Sequence, residues 1–142
     1  MFTLDPRLET DTIALAVWPL CCVRLMNDRT YPWLVLVPQR PDLREFHHLD
    51  PGDRSRCMHE MALAARLLEE ATQADKINVA ALGNVVPQLH IHVIARFKDD
   101  PAWPGPVWGA RPAEPYDEAS LVHTRRLLGQ ALSPPLPGSG GD

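Results

Sequence analysis

Gln88, His90 and His92 occupy every second position of the run Gln88-Leu89-His90-Ile91-His92-Val93, with aliphatic residues between them. Alternate side chains of a strand point to opposite faces. The spacing therefore puts the three polar groups on one face and Leu89, Ile91 and Val93 on the other. Neighbouring imidazoles on a rigid strand admit three readings. A neutral imidazole held in one tautomer is a nucleophile toward phosphorus and can split phosphoryl or nucleotidyl transfer into two steps. Two imidazoles can also begin a zinc site, whose other ligands would come from Cys21, Cys22, His48 or an acid. In the third reading both rings simply face water. Spacing alone leaves all three open.

The flanking sequence supplies the elements that must hold this strand. Residues 13–25 read as a strand, or as a strand pair broken at Pro19. Asn27-Asp28-Arg29-Thr30 has the composition of a turn. The unbroken apolar run Trp33-Leu34-Val35-Leu36-Val37 reads as a central strand stopped by Pro38, which cannot donate to a ladder. Asp50-Pro51-Gly52-Asp53 looks like a helix entry. From Arg54 to Thr72 apolar residues recur at helical spacing. Residues 76–82 read as another strand, Gly83-Asn84 as a turn, and Val85-Val86-Pro87 as the lead into the histidine strand, which runs to about Arg96. Two strands, a helix and two strands predict an α+β fold with the helix laid on one sheet face. The proline-rich stretch from Asp99 to Gly109, with Trp103 and Trp108, reads as a loop whose indoles pin it to the sheet. Residues 116–132 read as a terminal helix and residues 133–142 as a flexible tail.

Composition narrows the class. A chain of 142 residues suits one globular domain. A formal charge of −4 without a basic stripe argues against broad binding of nucleic acid or anionic membrane. Cys21, Cys22 and Cys57 are odd in number and form no CxxC, as expected in a reducing compartment. The start lacks the pattern of a signal peptide, and no apolar run approaches the ~18 residues of a membrane span. The expected location is the cytoplasm. His47 and His48 read as surface or capping groups beside the helix entry. Arg96 shares a face with His90 and His92 by parity, within reach of a phosphate.

The segment from Gln88 to Arg96 resembles the signature of the histidine triad (HIT) family, His-φ-His-φ-His-φ-φ with φ apolar. The hairpin around Leu25, Asn27 and Trp33 to Pro38 is similar to the family's nucleoside pocket. Arg40-Pro41 and Phe46-His47-His48-Leu49 resemble the segment that follows it in the diadenosine polyphosphate hydrolase branch. The order of elements agrees over roughly residues 10–97.

This resemblance implies that His90 is the nucleophile. It would attack the α-phosphorus of a nucleotide, form a nucleotidyl-histidine and release the nucleoside monophosphate when water attacks. By the same resemblance His92 helps hold the phosphate and leaving group, and Gln88 orients its neighbours. Asn78, Gly83 and Asn84 reach the phosphates, the last two through backbone N–H groups that suit developing charge. Asn27 meets the ribose, and Leu25, with Leu36 or Val37, walls the base. Two departures stand out. Gln88 occupies the first triad position and cannot titrate. Val85 stands where many members carry a hydroxyl donor, and Pro87 lacks an N–H.

The expectation is a single HIT-like domain over residues 1–132, core 10–97, with an antiparallel sheet, a long helix between strand pairs and a C-terminal helix. Its function would be that of a nucleotide hydrolase or nucleotidyl transferase acting on a dinucleoside polyphosphate or nucleoside phosphoramidate. The alternative is a non-catalytic nucleotide-binding module with an eroded site. The covalent mechanism requires no metal or other cofactor, although a divalent ion is compatible with a polyphosphate substrate. The expected partners are a small nucleotide substrate and a second copy in a homodimer, without nucleic acid or membrane.

Overall fold

The computed structural model describes residues 1–133; the expected tail from residue 134 onward lies outside the described residues. The elements in chain order are α1 (Pro6–Asp11), β1 (Thr12–Val17), β2 (Cys21–Met26), β3 (Trp33–Pro38), α2 (Pro51–Thr72), β4 (Lys76–Ala80), β5 (Ile91–Arg96) and α3 (Glu118–Ala131), with a 3₁₀ turn at Phe46–His48. The strands form one antiparallel sheet in the order β1-β2-β3-β5-β4. This is the α+β architecture expected, with β3 at its centre.

Local chemistry sets the boundaries. The run over residues 13–25 is a strand pair: Trp18 N–H donates to Cys21 O at 2.9 Å and closes the turn around Pro19. Glu60, buried on α2, holds that turn from below, its carboxylate accepting from Leu20 and Cys21 N–H at 3.0 and 2.8 Å. Asp50 caps α2 by accepting from Asp53 N–H at 2.8 Å, with Pro51 in the first helical position. Pro38 lies inside β3, at its end. It pairs with Cys21 on one side, and β5 reaches only as far as Leu36 on the other, so no ladder bond is lost.

Three outcomes differ from expectation. β4 stops at Ala80, and β5 starts at Ile91. Gln88, Leu89 and His90 therefore precede the ladder, with Leu89 N–H tied to Leu43 O at 2.9 Å. A short α1 precedes β1, capped by Asp5, whose carboxylate accepts from Arg7 N–H at 2.8 Å.

The sheet separates two apolar layers. On one face Leu25, Leu34, Leu36, Ile91, Val93 and Ala95 pack with Cys57, Ala64 and Leu68 of α2 and Leu128 of α3. On the other, Tyr31, Trp33, Val35, Val37 and Ile94 pack with Leu8 and Val107. His92 pairs with Val35 and so belongs to the second face. Cys21 and Cys22 alternate between the faces, Cys21 on the helix side. Among the described residues no helix is long and apolar enough to cross a membrane.

Candidate active site

His90 and His92 are both buried, at 5% and 4% exposure. Their rings are 5.0 Å apart between centroids and inclined by 71°. The hydrogen bonds of each ring set its tautomer. His90 Nδ1 lies 2.7 Å from Gln88 O. A carbonyl only accepts, so Nδ1 carries the proton and Nε2 is left with a free lone pair. His92 Nδ1 accepts from the Trp33 indole N–H at 2.9 Å. An indole only donates, so the His92 proton sits on Nε2.

The two imidazoles therefore have different characters. His90 presents a lone pair. His92 is held neutral: burial pushes its pKa down to about 4, and the nearby charge of His90 adds to this, against a hydrogen bond to the Leu82 backbone. Aromatic rings complete the enclosure. Trp33 lies 5.6 Å from the His92 ring, and Trp108 5.2 Å away at 78°. The loop indoles are anchors, as expected, but only Trp103 is purely so; Trp108 also walls the site.

Gln88 is turned out of this pair. Its Oε1 accepts from Asp5 N–H at 2.8 Å and its Nε2 donates to Thr3 O at 2.8 Å. The same N-terminal segment reaches the loop again through Arg7, which donates to Val85 O at 2.9 Å. The main chain at position 88 serves His90, while the side chain there ties down the N-terminus.

A cleft of about 520 Å³ opens beside His90, and Gly83, Asn84 and Pro87 line it with Arg44 and His48. Gly83 and Asn84 thus share one cleft with His90. A Cβ on Gly83 would lie 3.0 Å from Val86 O, so the loop closes tightly only around glycine. His48 keeps its expected capping role, accepting from Glu45 N–H at 3.2 Å through Nδ1.

Other expected residues lie elsewhere. Leu25 is fully buried in the helix-side layer, and Leu36 with it, so neither side chain walls a pocket on the histidine face. Parity is the reason: Leu25 pairs with Leu34, whose side chain points toward α2. Val37 does lie on the histidine side. Asn27 sits in the β2–β3 turn, its amide oxygen accepting from Tyr116 N–H at 3.0 Å. Asn78 shares the histidine face, but its oxygen accepts from Arg96 at 2.8 Å. It is not among the residues that line the cleft.

Arg96 does not point into open space for a phosphate. Its side chain is 2% exposed and makes a bidentate pair with Asp100, at 2.8 and 3.0 Å. Its guanidinium lies 5.8 Å from the rings of both Tyr31 and Trp103. Burial alone would raise the Asp100 carboxyl. The Arg96 bonds and the backbone N–H groups of Phe97 and Trp103 outweigh burial and hold it at about 2.

Sequence reasoning missed Arg44, Trp33 as the partner of His92, and Asp5. Trp33 lies 59 positions from His92, so only the pairing of β3 with β5 unites them. Asp5 carried a local signal, a capping aspartate before Pro6. Among the described residues no group of three or more His, Cys, Asp or Glu side chains comes together as a metal set. Cys21, considered above as a ligand, lies in the helix-side layer.

Comparisons with known proteins agree with this geometry. The family model described as HIT domain matches residues 7–99. A histidine triad protein from Sinorhizobium meliloti 1021 is 51% identical, with a TM-score of 0.89, covering 92% of this chain and 96% of that one. One from Marinobacter aquaeolei VT8 is 45% identical, with a TM-score of 0.91 and coverages of 93% and 96%. One from Bradyrhizobium japonicum is 43% identical, with a TM-score of 0.89 and coverages of 92% and 97%. No curated protein matches. With a domain model spanning most of its length, and near-complete structural relatives above 40% identity, this chain belongs to the histidine triad family.

Proposed function

We propose that the protein is a nucleotide hydrolase or nucleotidyl transferase that works through a covalent nucleotidyl-histidine on His90. The observation that carries this reading is the 2.7 Å contact from His90 Nδ1 to Gln88 O. It supports a ring with a free Nε2 lone pair beside an open cleft. In the first step that lone pair forms a bond to the α-phosphorus while the bond to the leaving group breaks, its electron pair going with the leaving atom. The imidazole becomes cationic, and the bond from Nδ1–H to the Gln88 carbonyl strengthens as the charge develops. Water then forms a new P–O bond, the P–N bond breaks, and the lone pair returns to Nε2. Overall, one water proton ends on the leaving group. In a transferase a second nucleophile replaces the water. Gly83 and Asn84 offer backbone N–H groups toward the phosphate oxygens. His92 stays neutral and holds its ring against the site.

The chain has exposed apolar side chains on its edge strand β4 and on α2, Val79 and Met58. These support pairing with a second copy. Three unbridged cysteines support a reducing, cytoplasmic setting. The chemistry needs no metal in this scheme.

The direct test is release of nucleoside monophosphate from a panel of diadenosine tri- and tetraphosphate, adenosine phosphoramidate and a fluorogenic adenylyl ester. Wild type should turn over at least one, and His90→Ala none. Rapid quenching with a radiolabelled substrate should trap label on His90. Tight AMP binding without turnover or label would replace this reading with a nucleotide-binding module.

A further inference from the structure

The loop between β4 and β5 carries two things that serve His90. Gly83 and Asn84 share its cleft, and the Gln88 carbonyl fixes its tautomer. The loop has little of its own to hold it. Residues 81–85 and Pro87 are exposed, Val85 at 78%. Among the described residues, no main-chain hydrogen bond outside the sheet ladder involves residues 81–88. His92 ties the backbone of Leu82, and Val86 packs against the layer that contains Trp33.

Residues 3–7 supply the rest. The Gln88 amide is bonded to Asp5 N–H and Thr3 O. Arg7 Nη1 donates to Val85 O at 2.9 Å. Asp5 in turn fixes Arg7, its carboxylate accepting from Arg7 Nε at 3.2 Å and from Nη2 at 3.1 Å. These links close a ring, from Val85 through Arg7 and Asp5 to Gln88 and back along the main chain. A planar guanidinium held by two bonds on one edge has its remaining nitrogen aimed in one direction. Hydrogen bonds from Arg7 hold the Asp5 carboxyl below its ordinary range, and charge on His90 adds a smaller share. The clasp therefore lies within electrostatic reach of His90.

We infer that Arg7, locked by Asp5, is a positioning residue: it holds Val85 and so sets the Gly83 and Asn84 N–H groups and the Gln88 carbonyl in fixed places around His90. The inference rests on the reading of His90 as nucleophile and adds a residue that acts through the loop rather than on the substrate. The loop N–H groups serve charge that develops on the phosphate oxygens. Loosening them therefore lowers kcat more than it weakens binding.

Two measurements on the full chain test it. The first is ¹⁵N relaxation without substrate. Order parameters of the Gly83 and Asn84 amides should lie near the rigid-backbone value of ~0.85 in wild type and fall to ~0.6 or below in Arg7→Ala. Arg66→Ala is the control and should leave them unchanged. Arg66 is also exposed and also paired with a carboxylate, Glu70, so its loss changes net charge equally.

The second is turnover of the best substrate in the panel above. Arg7→Ala should lower kcat ~10-fold and leave KM within ~2-fold. Arg7→Lys, which keeps a donor for Val85 O, should recover part of the loss. Asp5→Asn keeps a capping side chain on α1 and the main-chain bond to Gln88. It should cost less than Arg7→Ala and add nothing to it, because Asp5 acts through Arg7.

Unchanged order parameters or an unchanged kcat in Arg7→Ala overturn the inference. Equal losses in Arg66→Ala do so as well, as does an Asp5→Asn effect that adds in full to that of Arg7→Ala. If wild type turns over no member of the panel, the reading of His90 as nucleophile fails, and the order parameters still decide whether Arg7 holds the loop.

Discussion

Gln88 binds the main chain of Asp5 as a strand neighbour would. Its side-chain carbonyl takes the Asp5 N–H at 2.8 Å, and its amide N–H returns to Thr3 O, also at 2.8 Å. Only an amide places a donor and an acceptor side by side at the end of a side chain. A histidine at position 88 has no equivalent pair. Replacing Gln88 with histidine should therefore leave turnover no higher. It should free the Thr3–Asp5 segment, seen as faster hydrogen exchange at the Asp5 amide, and cost about 1–2 kcal/mol of stability. A more active Gln88→His variant would show that the missing proton donor, not the clamp, governs this position.

Trp33 holds His92 Nδ1 as an acceptor through its indole N–H. Trp33→Phe keeps an aromatic ring and removes the donor. The His92 tautomer should then become mixed, visible in the nitrogen shifts of the imidazole, and kcat should fall about 10-fold with the fold intact. Unmoved nitrogen shifts would mean that something other than the indole fixes the ring.

The depressed His92 pKa makes a signed prediction for stability. The ring titrates at about 4 in the folded protein against an ordinary 6.5. Between those values the unfolded chain holds a proton that the folded protein refuses. The contribution is thus complete above pH ~6.5, declines as pH falls toward about 4, and levels off below that. Its size is up to ~3 kcal/mol. Urea midpoints followed across this window should fall more steeply for wild type than for His92→Gln. Parallel curves would contradict the assignment.

The Arg96–Asp100 pair is buried and bidentate, and Asn78 completes it. Asp100→Asn removes one charge and strands the other, at a cost of about 3 kcal/mol or more. Asp99→Asn, at an exposed neighbour, should change little. The carboxyl is held at about 2, below its ordinary 3.8. Its stabilisation is present above pH ~4 and is lost only as pH falls through 2. Thermal melts of both variants at neutral pH are the check.

The periodic and capped parts of this chain could be read directly. Asp50-Pro51 announced α2, and the alternation in residues 88–96 placed His90 and His92 on one face. Long-range pairing was the obscure part. Leu25 was assigned to a pocket because its hairpin resembled one, but β2–β3 register sends it under α2. Arg96 had the right parity for a phosphate, yet Asp100, one helical turn's length further on, claims it. Asn78 followed Arg96 into that network. The cap at Asp5 was legible, but not its bond to Gln88, since that contact comes from the folding of distant segments.

The atom that His90 uses at position 88 belongs to the main chain. Every amino acid supplies that oxygen, whatever its side chain. Evolution can therefore exchange the residue at the head of the triad without touching the His90 tautomer. The freed side chain becomes raw material for another task, here the mooring of the N-terminus. A change in the Thr3–Asp5 segment would thus be felt two residues from His90, through a route that mutational scanning of the histidines alone would never reveal.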